Sequence, residues 1–144
     1  MSVTISYEET LSDKAMDCPV CKNAMITFEL SEVEIDHCVN CGGIWLDAGE
    51  LELLLQDRYA ATQLISSFHK DQKSKEKTRP CPICGNKMDK IRVGNSTTPL
   101  LIDRCRRGDG LWFDKGELQN IFDKASLDKD NKIQKLLADV FGSH

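Results

Sequence analysis

The feature that most constrains this chain is a set of cysteine pairs that occurs twice. In the first half, Cys-x-x-Cys pairs begin at Cys18 and Cys38, and sixteen residues separate the two pairs. In the second half a pair begins at Cys81, but Cys105 has no cysteine three residues later, because Gly108 stands there. Two thiolates on one tight turn can reach a single ion, and a hairpin returns the second pair to the same point. The spacing therefore predicts a small fold organised around metal-bound turns.

The intact set has the spacing of a recognised zinc pattern. Zinc takes four thiolates tetrahedrally and then has no open position, which is typical of a structural site. A redox-active Cys-x-x-Cys is the alternative, but it normally lies near a βαβ pattern and none is evident in this chain. We therefore interpret the first set as a structural Zn2+ site. Its expected ligands are Cys18, Cys21, Cys38 and Cys41.

The second set lacks a fourth thiol and needs another ligand. Asp109 follows the glycine at the substituted position and offers a carboxylate oxygen, which zinc accepts, so we expect Asp109 to complete the site. Water as the fourth ligand and a site without metal remain open. An open zinc position is also typical of catalytic sites, but no acid or base can be assigned beside it, so we do not expect an enzyme. The cysteines of this set are Cys81, Cys84 and Cys105. His69 or His144 could also supply a ligand. Asp103 could offer an oxygen too, but it aligns with Asp36 of the intact repeat, which favours a role other than metal binding.

Each half also carries signals for strands and a helix. Alternating apolar residues between the cysteine pairs predict a β-hairpin, and a third extended piece surrounds Trp45 and Trp112, which we expect to be core residues. Asp-x-Gly-Glu follows each tryptophan, and an Asp with Glu three residues later is a capping box that begins a helix. Helical spacing of apolar residues predicts that the first helix continues to about His69. The second helix is expected from Lys115 to about Lys124.

A last helix is predicted near the end of the chain, where apolar residues form one stripe at helical spacing. The stripe consists of Ile133, Leu136, Leu137, Val140 and Phe141. An apolar stripe needs a partner to bury it, so we expect this helix to pack on the first helix. The expected contact residues there are Leu54, Leu55 and Phe68.

The motif as a whole resembles a known family. Cys-Pro-x-Cys, a hairpin and then Cys-x-x-Cys-Gly-Gly-x-Trp-Leu-Asp-x-Gly-Glu-Leu is similar to the TFIIB-type zinc-ribbon (transcription factor zinc-finger) family. Residues 18–51 match this pattern well, and residues 81–118 form a degenerate second copy. The resemblance implies a zinc ribbon with the four cysteines of the first set as ligands. It implies a role related to transcription only by analogy of site shape.

The predicted fold class is a small zinc-dependent α+β fold with two tandem zinc ribbons, each built on short β-hairpins and followed by α-helix. Each half has roughly 70 residues, a size at which a core alone is marginal and a metal adds needed stability. We divide the chain into residues 1–17, an N-terminal lead-in; 18–70, the first ribbon with a long helix; 71–80, a charged linker; and 81–144, the degenerate second ribbon with C-terminal helices.

The charge of the chain bears on its partners. The net charge is −4, which disfavours general nucleic-acid binding. Residues 17–43 contain five acidic residues and one basic residue, whereas residues 79–110 contain seven basic and three acidic ones. Aromatic residues for stacking on single strands are missing, so we expect a protein partner first and nucleic acid second. The basic residues that could contact nucleic acid are Lys87, Lys90, Arg92, Arg104, Arg106 and Arg107.

Cysteine pairs of this kind indicate a reducing compartment. No apolar run reaches the ~18 residues of a membrane-spanning helix, and the first seventeen residues lack the pattern of a signal peptide. The expected location is therefore the cytoplasm. The leading hypothesis is a non-catalytic zinc-binding interaction module with a transcription-related role. The alternative is a zinc or thiol redox sensor that uses the incomplete second site, because thiolates without a full zinc shell can be oxidised.

Overall fold

The structure is a computed structural model that describes residues 16–30, 32–55, 58–93 and 100–125. Strands alternate with short helices in the order expected from the two repeats. The elements are β1 (Ile26–Leu30), β2 (Val33–His37), β3 (Ile44–Asp47), α1 (Glu50–Leu55), α2 (Arg58–Ser66), β4 (Phe68–Lys70), β5 (Asp89–Val93), β6 (Leu100–Arg104), β7 (Gly110–Phe113) and α3 (Glu117–Ala125). The prediction of a mixed fold with hairpin ribbons followed by helices is confirmed.

The two repeats share one antiparallel sheet. Its seven described strands lie in the order β1-β2-β3-β7-β6-β5-β4. We call residues 16–47 the first ribbon and residues 79–114 the second ribbon. The third strands of the two ribbons pair in the middle of the sheet, where Trp45 lies directly opposite Trp112. Because Ile44 also pairs with Phe113 and Leu46 with Leu111, the two ribbons are related by an approximate twofold axis at this pair.

Alternation along the central strands separates two apolar clusters. Successive side chains of a strand point to opposite faces of the sheet. Ile44 and Leu46 belong to the cluster that the helices cover, together with Phe113. Trp45 and Trp112 belong to the other cluster, which also contains cysteines of both ribbons. The metal-binding turns therefore lie on the face opposite the helices.

The glutamates of both capping boxes act as predicted. The backbone N–H of Asp47 donates to Glu50 Oε1 at 2.6 Å, and that of Asp114 donates to Glu117 Oε1 at the same distance. These bonds give the two backbone N–H groups an acceptor where the chain passes from β3 to α1 and from β7 to α3. The Asp47 carboxylate accepts a hydrogen bond from the Trp45 indole N–H at 2.9 Å, so it also fixes the ring.

The prediction of one helix that continues to about His69 is wrong. The described helices α1 and α2 end at Leu55 and Ser66, and Phe68 begins strand β4. In β4, Phe68 pairs with Val93 and His69 pairs with Arg92, so the chain between the repeats covers the outer edge of β5. Phe68 packs against the core, as it would also have done in a helix. A single apolar residue fits both the helical and the strand periodicity, so the pattern did not distinguish them.

The predicted C-terminal helix and its contact with the first helix lie outside the described residues. Leu54 and Leu55 are buried in the core cluster beneath the helices, where Leu118 and Phe122 of the second half also lie. Among the helices of the described ranges, none combines the length and the apolar character that crossing a lipid bilayer requires.

Candidate metal centres

The first ribbon brings its four cysteines to one point. One ligand atom from each of Cys18, Cys21, Cys38 and Cys41 can be chosen so that all lie within 4.8 Å of one another. The Sγ atoms of Cys18 and Cys41 are 3.5 Å apart, and those of Cys21 and Cys38 are 3.2 Å apart. A tetrahedral zinc with bonds of about 2.3 Å separates its sulfur atoms by about 3.8 Å. All four thiols are free, and the set fits a four-thiolate Zn2+.

Tight backbone turns place these thiols. The backbone N–H of Lys22 donates to the carbonyl of Cys18, and that of Gly42 donates to the carbonyl of Cys38. Both donor residues have positive φ, 68° at Lys22 and 80° at Gly42, so each turn closes through the left-handed region. Inside the turns, backbone N–H groups point at sulfur, such as Val20 N–H at 3.3 Å from Cys18 Sγ. Such donors stabilise thiolates, the form that binds zinc.

Proton affinity differs among the four thiols. Burial raises the pKa of Cys41 to about 12. Cys21 has its pKa lowered to about 6, mainly because the backbone N–H of Asn23 donates to its sulfur. A thiol must lose its proton to bind zinc, so metal binding at this site releases protons and depends on pH.

The second ribbon assembles three cysteines and Asp109. One ligand atom from each of Cys81, Cys84, Cys105 and Asp109 can be chosen within the same 4.8 Å limit. Asp109 Oδ2 lies 3.3 Å from Cys105 Sγ and 3.7 Å from Cys81 Sγ, and the sulfur atoms of Cys84 and Cys105 are 3.7 Å apart. Hydrogen bonding from the Cys105 thiol lowers the pKa of Asp109. Three thiolates and a carboxylate form a donor set that fits Zn2+.

The residue with positive φ lies one position earlier in the second turn than in the first, and this explains how Asp109 reaches the site. In the first ribbon Gly42 has positive φ, and its N–H bonds to the carbonyl four residues earlier, at Cys38. In the second ribbon Gly108 has φ 84°, and its N–H bonds to Cys105, three residues earlier. The second turn therefore closes one residue sooner. The next residue, Asp109, then has its carboxylate beside the thiols.

The other residues considered as ligands lie elsewhere. Asp103 is 1% exposed, and its Oδ1 lies 2.7 Å from Lys90 Nζ, so its carboxylate is engaged in an ion pair. His69 lies in β4 opposite Arg92 and does not belong to the group of potential ligands. His144 lies outside the described residues.

Half of the predicted basic set has carboxylate partners. Lys90 was named as a possible nucleic-acid contact, but it is 9% exposed and bridges Asp103 and Glu76, so its side chain is not available to phosphate. The reason is that a charge within an alternating strand can face inward when a buried carboxylate lies across from it. Two further pairs are Arg92 with Asp71 at 3.9 Å and Arg106 with Asp89 at 2.7 Å. The exposed members of the set are Lys87, Arg92, Arg104, Arg106 and Arg107.

Sequence reasoning did not predict that the aspartate two residues before the third cysteine of each ribbon is buried. Asp36 accepts a hydrogen bond from Thr27 Oγ1, and burial raises its pKa to about 6. Asp103 occupies the equivalent position in the second ribbon and lies opposite Lys90. The recurrence of Asp at the same position in both repeats indicated a role other than metal binding, but it did not indicate burial.

These features define a tandem zinc-ribbon protein. The chain belongs to the transcription factor zinc-finger family, because the TFIIB-type zinc ribbon matches residues 17–57 and 80–124, more than half of the chain. The resemblance inferred from the sequence and the expectation of two tandem copies are thereby confirmed. No curated protein and no solved structure matched the chain. The family consists generally of non-catalytic binding modules.

Proposed function

We propose that this zinc-binding protein is a non-catalytic interaction module that binds a protein partner in a transcription-related process. The observation that carries the proposal is the exposure of apolar side chains on the metal-binding turns. Val20 is 41% exposed, Val39 is 67% exposed and Ile83 is 51% exposed. Metal binding holds each turn in one conformation, so these side chains lose little entropy when a partner covers them.

A cleft between the two Cys-Pro turns enlarges this surface. Its volume is about 560 Å3, and it is open to solvent between residues 16–22 and 80–85. Pro19 and Pro82 line it together with Ile83, whereas Lys22 adds a cation. Apolar and proline side chains in a rigid cleft are well suited to a peptide chain with an apolar side chain at the contact.

The charges favour a protein over nucleic acid. Three of the six basic residues expected to contact phosphate are paired with carboxylates, namely Lys90, Arg92 and Arg106. Binding to phosphate would have to compete with these ion pairs. We also propose the cytoplasm as the location, because zinc-binding thiols persist in a reducing compartment.

Photo-crosslinking tests the proposed surface. A photoreactive amino acid replaces Ile83 or Val39 in the full chain, and a matched control carries it at Tyr59, which is 76% exposed on α2 away from the turns. We expect one protein to be captured from the two turn positions and not from Tyr59. The captured protein, once purified, should bind wild type and lose at least tenfold in affinity for Ile83→Asp. Equal capture at all three positions, or unchanged affinity for Ile83→Asp, would contradict the proposal.

Filter binding separates nucleic acid from protein as the partner. Specific phosphate contacts give a steep dependence of affinity on salt. We expect weak binding of DNA and RNA at low salt that Arg104→Gln and Arg107→Gln together reduce little. A steep salt dependence that these two substitutions flatten would replace the protein partner with nucleic acid.

A redox-sensing role is the second candidate, and the second metal site favours it. Cys84 is partly exposed, and its Sγ lies 3.7 Å from Cys105 Sγ, so a small movement would permit a disulfide. A peroxide would supply the oxidant. Two zinc-bound thiolates, one hydrogen peroxide and two protons from solvent would give one disulfide and two water molecules, and the zinc ion would leave with the loss of two ligands.

Zinc release under peroxide tests this candidate. With a chromogenic chelator present, the sensor hypothesis predicts rapid release of one zinc ion per chain and its reversal by a thiol reductant. Cys84→Ser should abolish the disulfide between residues 84 and 105, as judged by mass spectrometry of peptides. Release of both ions at the same rate would indicate general oxidative damage and would contradict the sensor role.

A further inference from the structure

Each ribbon contributes a tryptophan that lies against the metal-binding turn of the other ribbon. We call residues 38–43 the first metal turn and residues 105–110 the second metal turn. A Cβ atom added to Gly43 would lie 2.1 Å from Cζ2 of Trp112, so this ring lies directly on the backbone of the first turn. A Cβ atom added to Gly110 would lie 2.6 Å from Cζ2 of Trp45. At Gly110 the added Cβ would also lie 2.3 Å from the backbone carbonyl oxygen of Leu46. Neither position can therefore carry a side chain larger than that of glycine unless its neighbours move.

The two indole rings are held by their own ribbons. Trp45 Nε1 donates to Asp47 at 2.9 Å, and Trp112 Nε1 donates to Asp114 at 3.1 Å. Both tryptophans are fully buried in the cluster that also contains cysteines of both ribbons. Each ring is therefore a rigid support that one ribbon places under the metal turn of the other.

The supported glycines belong to the hydrogen bonding of the ligands. The carbonyl of Gly43 accepts from the N–H of Cys38 at 3.0 Å. The carbonyl of Gly110 accepts from the N–H of Cys105 at 3.1 Å. A displaced ring would release the glycine, and the glycine would release the backbone of the first cysteine of its turn.

Two further contacts cross between the ribbons at the same turns. The aliphatic part of Lys115 lies over Gly42, where an added Cβ would be 3.0 Å from its Cγ and Cδ. The backbone N–H of Ala48 donates to the carbonyl of Asp109 at 3.0 Å.

We propose that Trp112 is a positioning residue for the first metal site and Trp45 for the second, so that metal binding at the two sites is positively coupled. A zinc ribbon without metal loses its fold, because binding free energy is folding free energy in such sites. An unfolded ribbon withdraws its tryptophan from the other turn and weakens the other site. Such coupling is reciprocal by linkage. The proposal concerns the metal sites alone and does not depend on the partner proposed above.

Cadmium-113 NMR of the full chain tests the crossed arrangement. Cadmium replaces zinc at thiolate ligands, and a site with four sulfurs and one with three sulfurs and an oxygen give separate signals. Each signal is followed against a graded series of chelators. We expect Trp112→Leu to weaken the first site on the order of tenfold, and Trp45→Leu to weaken the second site by a similar factor. In each case the larger loss falls on the ribbon that does not carry the substitution.

A matched control removes a buried aromatic side chain that supports neither turn. Phe122 is buried in the cluster beneath the helices, so Phe122→Leu destabilises the fold without touching either metal turn. It should leave the ratio of the two cadmium affinities unchanged. The proposal is overturned if each tryptophan substitution weakens mainly the site of its own ribbon, or if both change the two affinities by the same factors as Phe122→Leu.

A second measurement decides the matter if a tryptophan variant does not fold. Cys81→Ser with Cys84→Ser removes metal from the second site and leaves every ligand of the first site in place. We expect the first site of this variant to bind cadmium about tenfold more weakly than in wild type. An unchanged affinity of the first site would show that the two sites are independent.

Discussion

The first and second ribbons share a backbone plan but bring different atoms to the fourth position of their candidate metal sites. In the first, Cys41 supplies sulfur and the left-handed Gly42 follows it. In the second, the left-handed residue is Gly108, and Asp109 brings a carboxylate oxygen beside the three thiols. A shift of the residue with positive φ thus determines which side chain lies beside the other three potential ligands. A chain that lacks the fourth cysteine can therefore still bring four potential ligands together.

The ribbons also differ in how they accommodate the same buried aspartate. Asp36 has Thr27 beside it, and burial raises its pKa to about 6. Asp103 has Lys90 beside it at 2.7 Å and Arg79 at 3.8 Å. The first ribbon therefore holds this carboxyl with a hydroxyl donor, whereas the second surrounds it with cations. Loss of the neighbouring residue should have very different consequences in the two ribbons.

The largest expected effect comes from removal of a thiolate. Cys38→Ser should remove zinc from the first site and unfold the first ribbon, because structural zinc contributes on the order of 10 kcal/mol to folding in small domains. Circular dichroism measures the unfolding, and release of zinc to a chelator measures the loss of the ion. The equivalent change Cys105→Ser should cost less, since its site starts with only three thiolates. Tight zinc binding and a native spectrum in Cys38→Ser would contradict the structural role of the first site.

The next effect concerns the buried aspartates. Lys90→Met leaves the buried Asp103 without its closest cation, and loss of one partner of a buried pair costs about 3–5 kcal/mol. Thr27→Val removes one hydrogen bond from Asp36 and should cost about 1–2 kcal/mol. Urea denaturation at neutral pH compares the two variants. Replacement of both partners in Lys90→Met/Asp103→Leu should recover most of the loss, and equal costs for the two single variants would refute the contrast.

Exchange of the fourth metal ligand should bring the zinc affinity of the second site closer to that of the first. Gly108→Cys alone puts a side chain on a residue with φ 84°, which is strained, although no atom lies within 4 Å of the new Cβ. Gly108→Cys with Asp109→Gly reproduces the Cys-Gly-Gly of the first ribbon and avoids this strain. We expect at least a tenfold gain in zinc affinity at the second site, ~1.4 kcal/mol, measured against competing chelators. Asp109→Ala should weaken the same site, and no change in either variant would exclude Asp109 as a ligand.

The smallest expected effect is the pH dependence that the capping glutamates contribute. Burial raises the pKa of Glu50 to about 7 and that of Glu117 to about 8. The unfolded chain loses these protons near pH 4.3, whereas the folded chain keeps them, so their contribution to stability falls as the pH rises toward the folded pKa. Glu117→Gln keeps an acceptor for Asp114 N–H and should therefore stabilise the protein more at pH 8.5 than at pH 6.5, by about 1 kcal/mol.

Thermal denaturation of wild type and Glu117→Gln at the two pH values measures this difference in stability. Glu50→Gln is the matched variant in the first ribbon and should give a smaller change, because the pKa of Glu50 is less raised. A stabilisation by Glu117→Gln that does not depend on pH would contradict the protonated state of Glu117.

Local signals in the sequence were sufficient for the strands of the two ribbons, the cysteine sets and the glutamate caps. The spacing of cysteines reflects the geometry of one ion, and the Asp-x-Gly-Glu motif reflects hydrogen bonds over three residues, as seen at Glu50 and Glu117. Such features depend on neighbours along the chain. For this reason they can be predicted without knowledge of the fold.

Features that depend on contacts between the repeats could not be predicted in this way. The pairing of Trp45 with Trp112 joins distant strands, and nothing local specifies it. Phe68 forms a strand because the edge of β5 offers hydrogen bonds, which outweighed a helical pattern carried by few residues. Lys90 is buried because Asp103 lies opposite it in the sheet. In each case the partner across the sheet decided the outcome.

Native mass spectrometry of the full chain against a graded chelator series tests the central claim most directly. The account predicts two zinc ions per chain, of which one leaves at lower chelator strength. Asp109→Ala should make that ion leave more easily still, and Gly108→Cys/Asp109→Gly should delay its release. A chain that binds only one zinc ion, or one in which Asp109→Ala affects the last ion to leave and not the first, would contradict the account of a four-thiolate first site and a weaker second site completed by Asp109.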